Sequence, residues 1–174
     1  MEEELLSLVE QLKSDRRLAS FDEAATKQIV LLRILPLLGW DIYNIDEVTP
    51  EYSVGPQRVD YALRHSNASK VFVEVKKVGE DLEKHQEQLL NYSFKEGVSL
   101  AILTNGISWR FYLPLHEGSW EQRKFYTIEI YDQNSEDIVS KFIDYLAKEN
   151  VYSGKSIQNA EAVYKSKQKE YLLK

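Results

Sequence analysis

Leu5, Leu8, Val9 and Leu12 recur at intervals of three and four, which predicts an amphipathic helix over residues 2–13. Its start, Glu2 to Glu4, is acidic and suits the positive end of a helix dipole. A second helix is expected over about residues 20–38. Ser20-Phe-Asp-Glu23 has the form of a capping box, residues 29–38 are apolar almost all round apart from Arg33, and Pro36 and Gly39 mark the stop. The period then changes from 3.6 to 2. Residues 40–45 read as a short strand, 50–56 as a loop, and 57–64 and 70–77 as two strands joined by His65-Ser-Asn-Ala-Ser69. On the second of these Val71, Val73 and Val75 line one face, and Phe72, Glu74 and Lys76 the other. A helix over about 81–94 returns the chain to a strand at 98–104. Thr104-Asn-Gly-Ile107 is a hairpin turn that sends 108–113 back alongside, a further strand follows at 124–130, and a helix at about 135–148 turns Ile138, Phe142, Ile143 and Leu146 inward.

That order gives an α/β domain with a mixed central β-sheet flanked by helices. Residues 1–150 are expected to form the domain. Residues 151–174 carry little periodicity beyond Ile157, Ala160, Tyr164 and Tyr171, and read as a peripheral helix or a linker.

Composition narrows the classes. A chain of 174 residues with 43% apolar and 29% charged residues can bury a proper core as one globular domain. No apolar run approaches a membrane span and the first residues are acidic, so a cytoplasmic protein with no membrane partner is expected. The absence of cysteine excludes a disulfide scaffold, a Cys-ligated zinc site and a thiol nucleophile. His65, His85 and His116 do not share metal-ligand spacing. A net charge of −6 argues against a sequence-independent nucleic-acid coat. The charge is uneven, however: residues 151–174 sum to +3, leaving −9 on residues 1–150. Within that acidic body Arg58, Arg64, Lys70, Lys76 and Lys77 face only Asp60 and Glu74 between Pro56 and Lys77, a local basic rim around two acids.

Those two acids and Lys76 are the candidate chemistry. Strand alternation puts Glu74 and Lys76 on one face, and Asp60 joins them from the preceding strand. Two carboxylates and an ammonium suit a hard divalent cation beside a phosphate, since such cations take oxygen ligands. The bland alternative is a solvated Glu-x-Lys strand with a cross-strand ion pair.

The arrangement resembles the PD-(D/E)xK nucleases, and within them the N-terminal nuclease domain of type I restriction enzyme R subunits. Val59-Asp60, thirteen intervening residues and Glu74-Val-Lys76 match the core motif, with Val59 in place of the nominal proline. Gln88-Leu-Leu-Asn-Tyr92 matches the Gln-x-x-x-Tyr motif on the following helix. Asp22-Glu-Ala-Ala-Thr-Lys27 with Leu37-Leu-Gly-Trp40 resembles the first block, whose helix glutamate often approaches the metal, and residues 101–112 resemble the strand, turn and strand that close the sheet. The matches cover about residues 20–115.

The resemblance implies a restriction-endonuclease-like core in which Asp60 and Glu74 hold Mg²⁺, with Mn²⁺ as a substitute, and Lys76 orients the attacking water or stabilises the phosphorane charge. The carbonyl of Val75 is a further oxygen donor. Gln88 and Tyr92 are implied as supporting residues toward the lysine, a water or a DNA phosphate; the plain alternative puts Tyr92 on the core stripe and Gln88 at its edge. Glu23 has two readings, a capping-box role and a place near the metal. DNA is the implied substrate, and motor, specificity and methylation subunits are the implied partners. No Gly-x-x-x-x-Gly-Lys-Ser/Thr loop occurs, so an excised fragment or a stand-alone relative is expected. A catalytically silent module of the same fold, binding DNA or protein, is the alternative.

Overall fold

A computed structural model describes residues 1–173. Lys174, one of the five lysines counted in the C-terminal segment, lies outside the described residues. The chain forms a six-stranded sheet in sequence order: β1 (Val48–Val54), β2 (Gln57–His65), β3 (Ala68–Val75), β4 (Leu100–Thr104), β5 (Ser108–Tyr112) and β6 (Lys124–Glu129). Every neighbouring pair is antiparallel except β3 and β4, which run parallel, so the sheet is mixed as the sequence predicts.

Helices cover both faces. α1 (Glu2–Ser14) leads into a 3₁₀ turn at Arg16–Ser20, then α2 (Glu23–Thr26), a π turn at Lys27–Leu31 and α3 (Leu32–Leu37) run on as one rod. α4 (Glu83–Glu96) is the crossover between the two parallel strands, and α5 (Trp120–Arg123) is a single turn before β6. α6 (Ser135–Leu146), α7 (Lys148–Ser153) and α8 (Lys155–Leu173) complete the chain. Val71, Val73 and Val75 meet α1, the α2–α3 rod and α6 in the larger core, whereas Phe72 joins Leu82, Leu89 and Leu90 around α4 in the smaller one. Ile157, Val163 and Tyr164 of α8 pack on the larger core and Ala160 is buried in it. A core aliphatic side chain of this kind contributes about 1.5–3 kcal/mol, so the alternation along β3 alone fixes which face each neighbour takes. Among the described residues no helix is long and apolar enough to cross a membrane.

Three expectations are corrected. The second helix starts at Glu23, because Asp22, not Ser20, is its N-cap: Asp22 Oδ1 accepts the Ala25 N–H at 2.8 Å, and the Ser20 hydroxyl donates back to the Arg17 carbonyl. Ser20 and Glu23 therefore make no capping box. Residues 40–45 form turns rather than a strand, since Asp41 and Asn44 accept the N–H groups two residues on, at Tyr43 and Asp46, and this removes those donors from any ladder. The strand lies instead at Val48–Val54, overlapping the segment 50–56 that reads as a loop. β1 is an edge, and Pro50 is tolerated there because an edge strand leaves alternate N–H groups unpaired.

Two turns behave as their sequences demand. Ser66 and Asn67 take φ of 50° and 66°, the left-handed pair of a tight hairpin between β2 and β3. At the β4–β5 turn Asn105 Oδ1 accepts from the N–H groups of Ile107 and Ser108, and Gly106 has φ of 89°. A Cβ at Gly106 would lie 2.9 Å from Thr26 Cγ2, so this glycine is required by its torsion and by the close approach of α2.

Candidate functional site

The β1–β2 ladder pairs Pro50 with Tyr61 and Tyr52 with Val59, and omits the residues between, Glu51 and Asp60. Glu51 has φ of 51°, a left-handed backbone that non-glycine residues rarely adopt. On the other side, the β2–β3 ladder runs as far as Tyr61 with Val73, so Asp60 and Glu74 are the next residues beyond its end. Glu51, Asp60 and Glu74 thus occupy one row across three adjacent strands, where the β1–β2 pairing is interrupted and the β2–β3 pairing ends.

Side chains replace the missing ladder bonds. The Asp60 N–H donates to Glu74 Oε1 at 3.0 Å, and the Val75 N–H donates to Asp60 Oδ2 at 2.7 Å. Each carboxylate is therefore held by the other strand's backbone, which fixes both without reliance on side-chain rotamer freedom. Lys76 follows the last residue of β3, its N–H anchored to the Thr104 carbonyl at 2.9 Å, and its side chain is half-buried.

Electrostatics divides the pair. Burial pushes the Glu74 carboxyl up, and the hydrogen bond and negative charge of Asp60 push it further, to about 8, against the opposing pull of Lys76. Burial acts on Asp60 in the same direction, but hydrogen bonds from the Glu74 carboxyl, Lys27 and the Val75 N–H outweigh it and hold Asp60 below the usual range. Two buried carboxyls this close resist double ionisation, so the proton is favoured on Glu74 rather than Asp60, and nearby positive charge is what relieves the pair.

Lys27 supplies part of that charge. Its Nζ lies 2.7 Å from Asp60 Oδ1 and 3.5 Å from Glu51 Oε1. Burial works against the ammonium, but pairing with Asp60, reinforced by the charge of Glu51, holds it firmly protonated. It projects from the first residue of the π turn, where the Leu32 N–H reaches back to the Lys27 carbonyl. Such turns recur at functional sites because the extra residue reorients a side chain. Neither Lys27 nor Glu51 is singled out by the sequence pattern. A signal existed for Lys27, which shares the apolar stripe of Leu31 and Ile34, where a charge needs a partner.

The other candidates stand as follows. Glu23 is half-buried at the start of α2, one helical turn before Lys27, and it is Lys27 that reaches Asp60. Gln88 is exposed on α4 and its Nε2 donates to the Tyr92 hydroxyl at 2.6 Å, while the Tyr92 ring packs on the smaller core. His85 pairs with Glu80 at 2.8 Å.

The donor set suits a hard divalent cation. Asp60 and Glu74 present oxygen ligands within reach of one another, and the retained proton on Glu74 marks a place where positive charge is wanted. Among the described residues, no three acidic or histidine side chains converge as a ready-made cage.

No family model and no curated protein matches the chain. Two solved structures are similar to part of it. One is the fragment structure of a protein assigned as the HsdR subunit of a type I restriction enzyme from Vibrio vulnificus YJ016, at 19% identity and a TM-score of 0.48, over 70% of this chain and 25% of that one. The other is the type IIG restriction endonuclease BpuSI, at 19% identity and a TM-score of 0.43, over 82% of this chain and 16% of that one. The chain spans a minor part of the length of either.

Proposed function

We propose that this chain is a metal-dependent endonuclease domain that hydrolyses DNA phosphodiester bonds, of the type I restriction R-subunit kind. The observation that carries the reading is the interlock of Asp60, within β2, and Glu74, near the end of β3, just beyond the last β2–β3 pair, with Lys76 following β3; this supports the Asp-x13-Glu-x-Lys reading.

Asp60 and Glu74 would hold Mg²⁺ or Mn²⁺, with the Val75 carbonyl as a further oxygen donor. Such an ion, when bound, polarises the scissile phosphate and lowers the pKa of a bound water. The protein's own part is positional and electrostatic. The Val75 N–H fixes one Asp60 oxygen, the Asp60 N–H fixes one Glu74 oxygen, and Lys76 sets a positive charge beside Glu74, where it can orient the water and offset charge building on the phosphate. Gln88 and Tyr92, joined on α4, are read as a contact for a DNA phosphate, and Glu23 as an additional acid toward the metal. In a complete restriction system, motor, specificity and methylation subunits would be the partners.

Nicking of supercoiled plasmid in Mg²⁺ or Mn²⁺, with EDTA as control, tests the reading. Wild type should nick, and Asp60→Ala and Lys76→Ala should each lose at least about 100-fold, the usual scale for a charge acting on a transition state. Equal nicking by wild type and variants would remove these residues from the chemistry. A second reading, a catalytically silent nuclease-fold module, is favoured by one observation: the Lys27 ammonium stands on Asp60 Oδ1, the position a metal would take. Failure of wild type to bind either divalent cation would select it.

A further inference from the structure

We propose that Lys27 is a built-in competitor for the divalent cation at Asp60 and Glu74, and that Glu51 is the carboxylate to which its ammonium withdraws when the cation takes its place. The inference rests on the metal-site reading above and adds to it a device that sets the cation concentration the site requires.

Asp60 has two carboxylate oxygens with different duties. Oδ2 is committed to the Val75 N–H at 2.7 Å, a bond that fixes the carboxylate whether or not a cation is present. Oδ1 faces Lys27 at 2.7 Å and has no backbone donor. A cation approaching Asp60 therefore meets the ammonium at the oxygen that is free to ligate. Two like charges cannot share that oxygen in a half-buried site, so one excludes the other.

Exclusion would be irreversible in practice if Lys27 had nowhere to go. Glu51 provides the alternative. It is opposite Asp60 in the β1–β2 register, its Oε1 already lies 3.5 Å from Nζ, and its side chain is 53% exposed, so it can follow the ammonium outward. The left-handed backbone at Glu51 breaks the regular pairing at this one position of the edge strand. A non-glycine residue in that conformation is strained, which marks it as a place where the surrounding structure imposes the geometry. Lysine is suited to the exchange, since four rotatable bonds let the ammonium move between neighbouring carboxylates while its stem stays packed.

The experiment measures Mn²⁺ binding by calorimetry, with the free ion followed by electron paramagnetic resonance, for wild type, Lys27→Met, Lys27→Gln, Glu51→Gln, the Lys27→Met/Glu51→Gln double variant and Glu74→Gln. Circular dichroism verifies that each variant is folded, and the Gln variant keeps the test open if Met disturbs α2. Removing the ammonium should tighten Mn²⁺ binding at least about tenfold, the effect of one opposing charge at close range in a half-buried site. Glu51→Gln should weaken it several-fold when Lys27 is present and leave it unchanged when Lys27 is Met. Equal or weaker binding by both Lys27 variants overturns the competitor role. Equal weakening by Glu51→Gln in both backgrounds overturns the withdrawal role and makes Glu51 a ligand. The underlying reading fails separately: Mn²⁺ bound by Glu74→Gln as tightly as by wild type would place the ion elsewhere, whatever Lys27 does.

Discussion

Glu74→Gln tests the retained proton directly. Burial beside Asp60 raises the folded Glu74 carboxyl to about 8, whereas in the unfolded chain it titrates as an ordinary carboxylate. Between those limits the folded state holds a proton that the unfolded state has released. The unfolded chain then binds fewer protons, so stability falls as pH rises through this window, at about 1.4 kcal/mol per pH unit. Below the unfolded value the contribution is fully present; above pH 8 it is lost. Across roughly 3.5 pH units the ceiling is ~5 kcal/mol, and relaxation and water entry in a half-buried site reduce the expected difference to about 2–4 kcal/mol. Glutamine mimics the protonated acid at every pH: its carbonyl can accept the Asp60 N–H and its amide can donate to the Asp60 carboxylate. Wild type and Glu74→Gln should therefore be close in stability below about pH 5, diverge steadily as pH rises to about 8, and stay apart above it, with the variant the more stable. Urea unfolding in EDTA at pH 5.5, 7 and 8.5, followed by the buried Trp40 and Trp109, reads the difference. Asp60 contributes the opposite slope at low pH, where its depressed value is approached, but it does so in both proteins and cancels. Saturating Mn²⁺ at pH 8.5 should recover the lost stability of wild type and not raise the variant. Parallel pH profiles for the two proteins would refute the retained proton.

Two structural predictions separate readings that sequence alone leaves together. Asp22→Ala should cost about 1 kcal/mol and Ser20→Ala less than about 0.5 kcal/mol in thermal unfolding, because Asp22 is the N-cap and the Ser20 hydroxyl serves only an exposed carbonyl. Gly106→Ala should cost at least about 2 kcal/mol, since it adds a Cβ 2.9 Å from Thr26 Cγ2 to a backbone at φ of 89°, and a drop in melting temperature of under one degree would contradict that geometry.

The strand pair that carries the site was legible because its signals agree. The alternation of Val71, Val73 and Val75 assigns faces and the Ser66-Asn67 turn starts the pairing, but a shift of one residue between Leu63 and Arg64, which no sequence signal announces, is what brings Asp60 level with Glu74. β1 was hidden because its sequence argues locally for a loop: Pro50, an exposed Glu51 and Ser53 lack a buried stripe, and the strand exists only because β2 offers it a partner. Trp40-Asp-Ile-Tyr failed in the opposite way. Its alternation looks like a strand, but Trp40 is buried by the hydrogen bond of its Nε1 to the Leu146 carbonyl, while Asp41 and Asn44 turn the backbone. For Lys27 the apolar stripe of Leu31 and Ile34 signals that a partner is needed, but not which one. Its partner is thirty-three residues away on another element, and no period in either segment reports a contact between them.

Regular pairing would have made a poorer site. Had the ladder continued past Tyr61 and Val73, backbone carbonyls would have taken the Asp60 and Val75 N–H groups, and the two carboxylates would have swung on free rotamers. Ending the ladder there lets the carboxylates accept those donors, so the same bonds that complete the backbone's accounting also fix the acids. The consequence is a division of labour between position and charge. The placement of Asp60 and Glu74 depends on N–H donors that no side-chain substitution removes, whereas the charge balance depends on Lys27, Lys76 and one proton. Changing Lys27 or Glu74 to a neutral residue of similar shape should thus alter cation affinity and pH dependence while leaving the β2–β3 geometry in place, which is why those variants can test the chemistry without testing the fold.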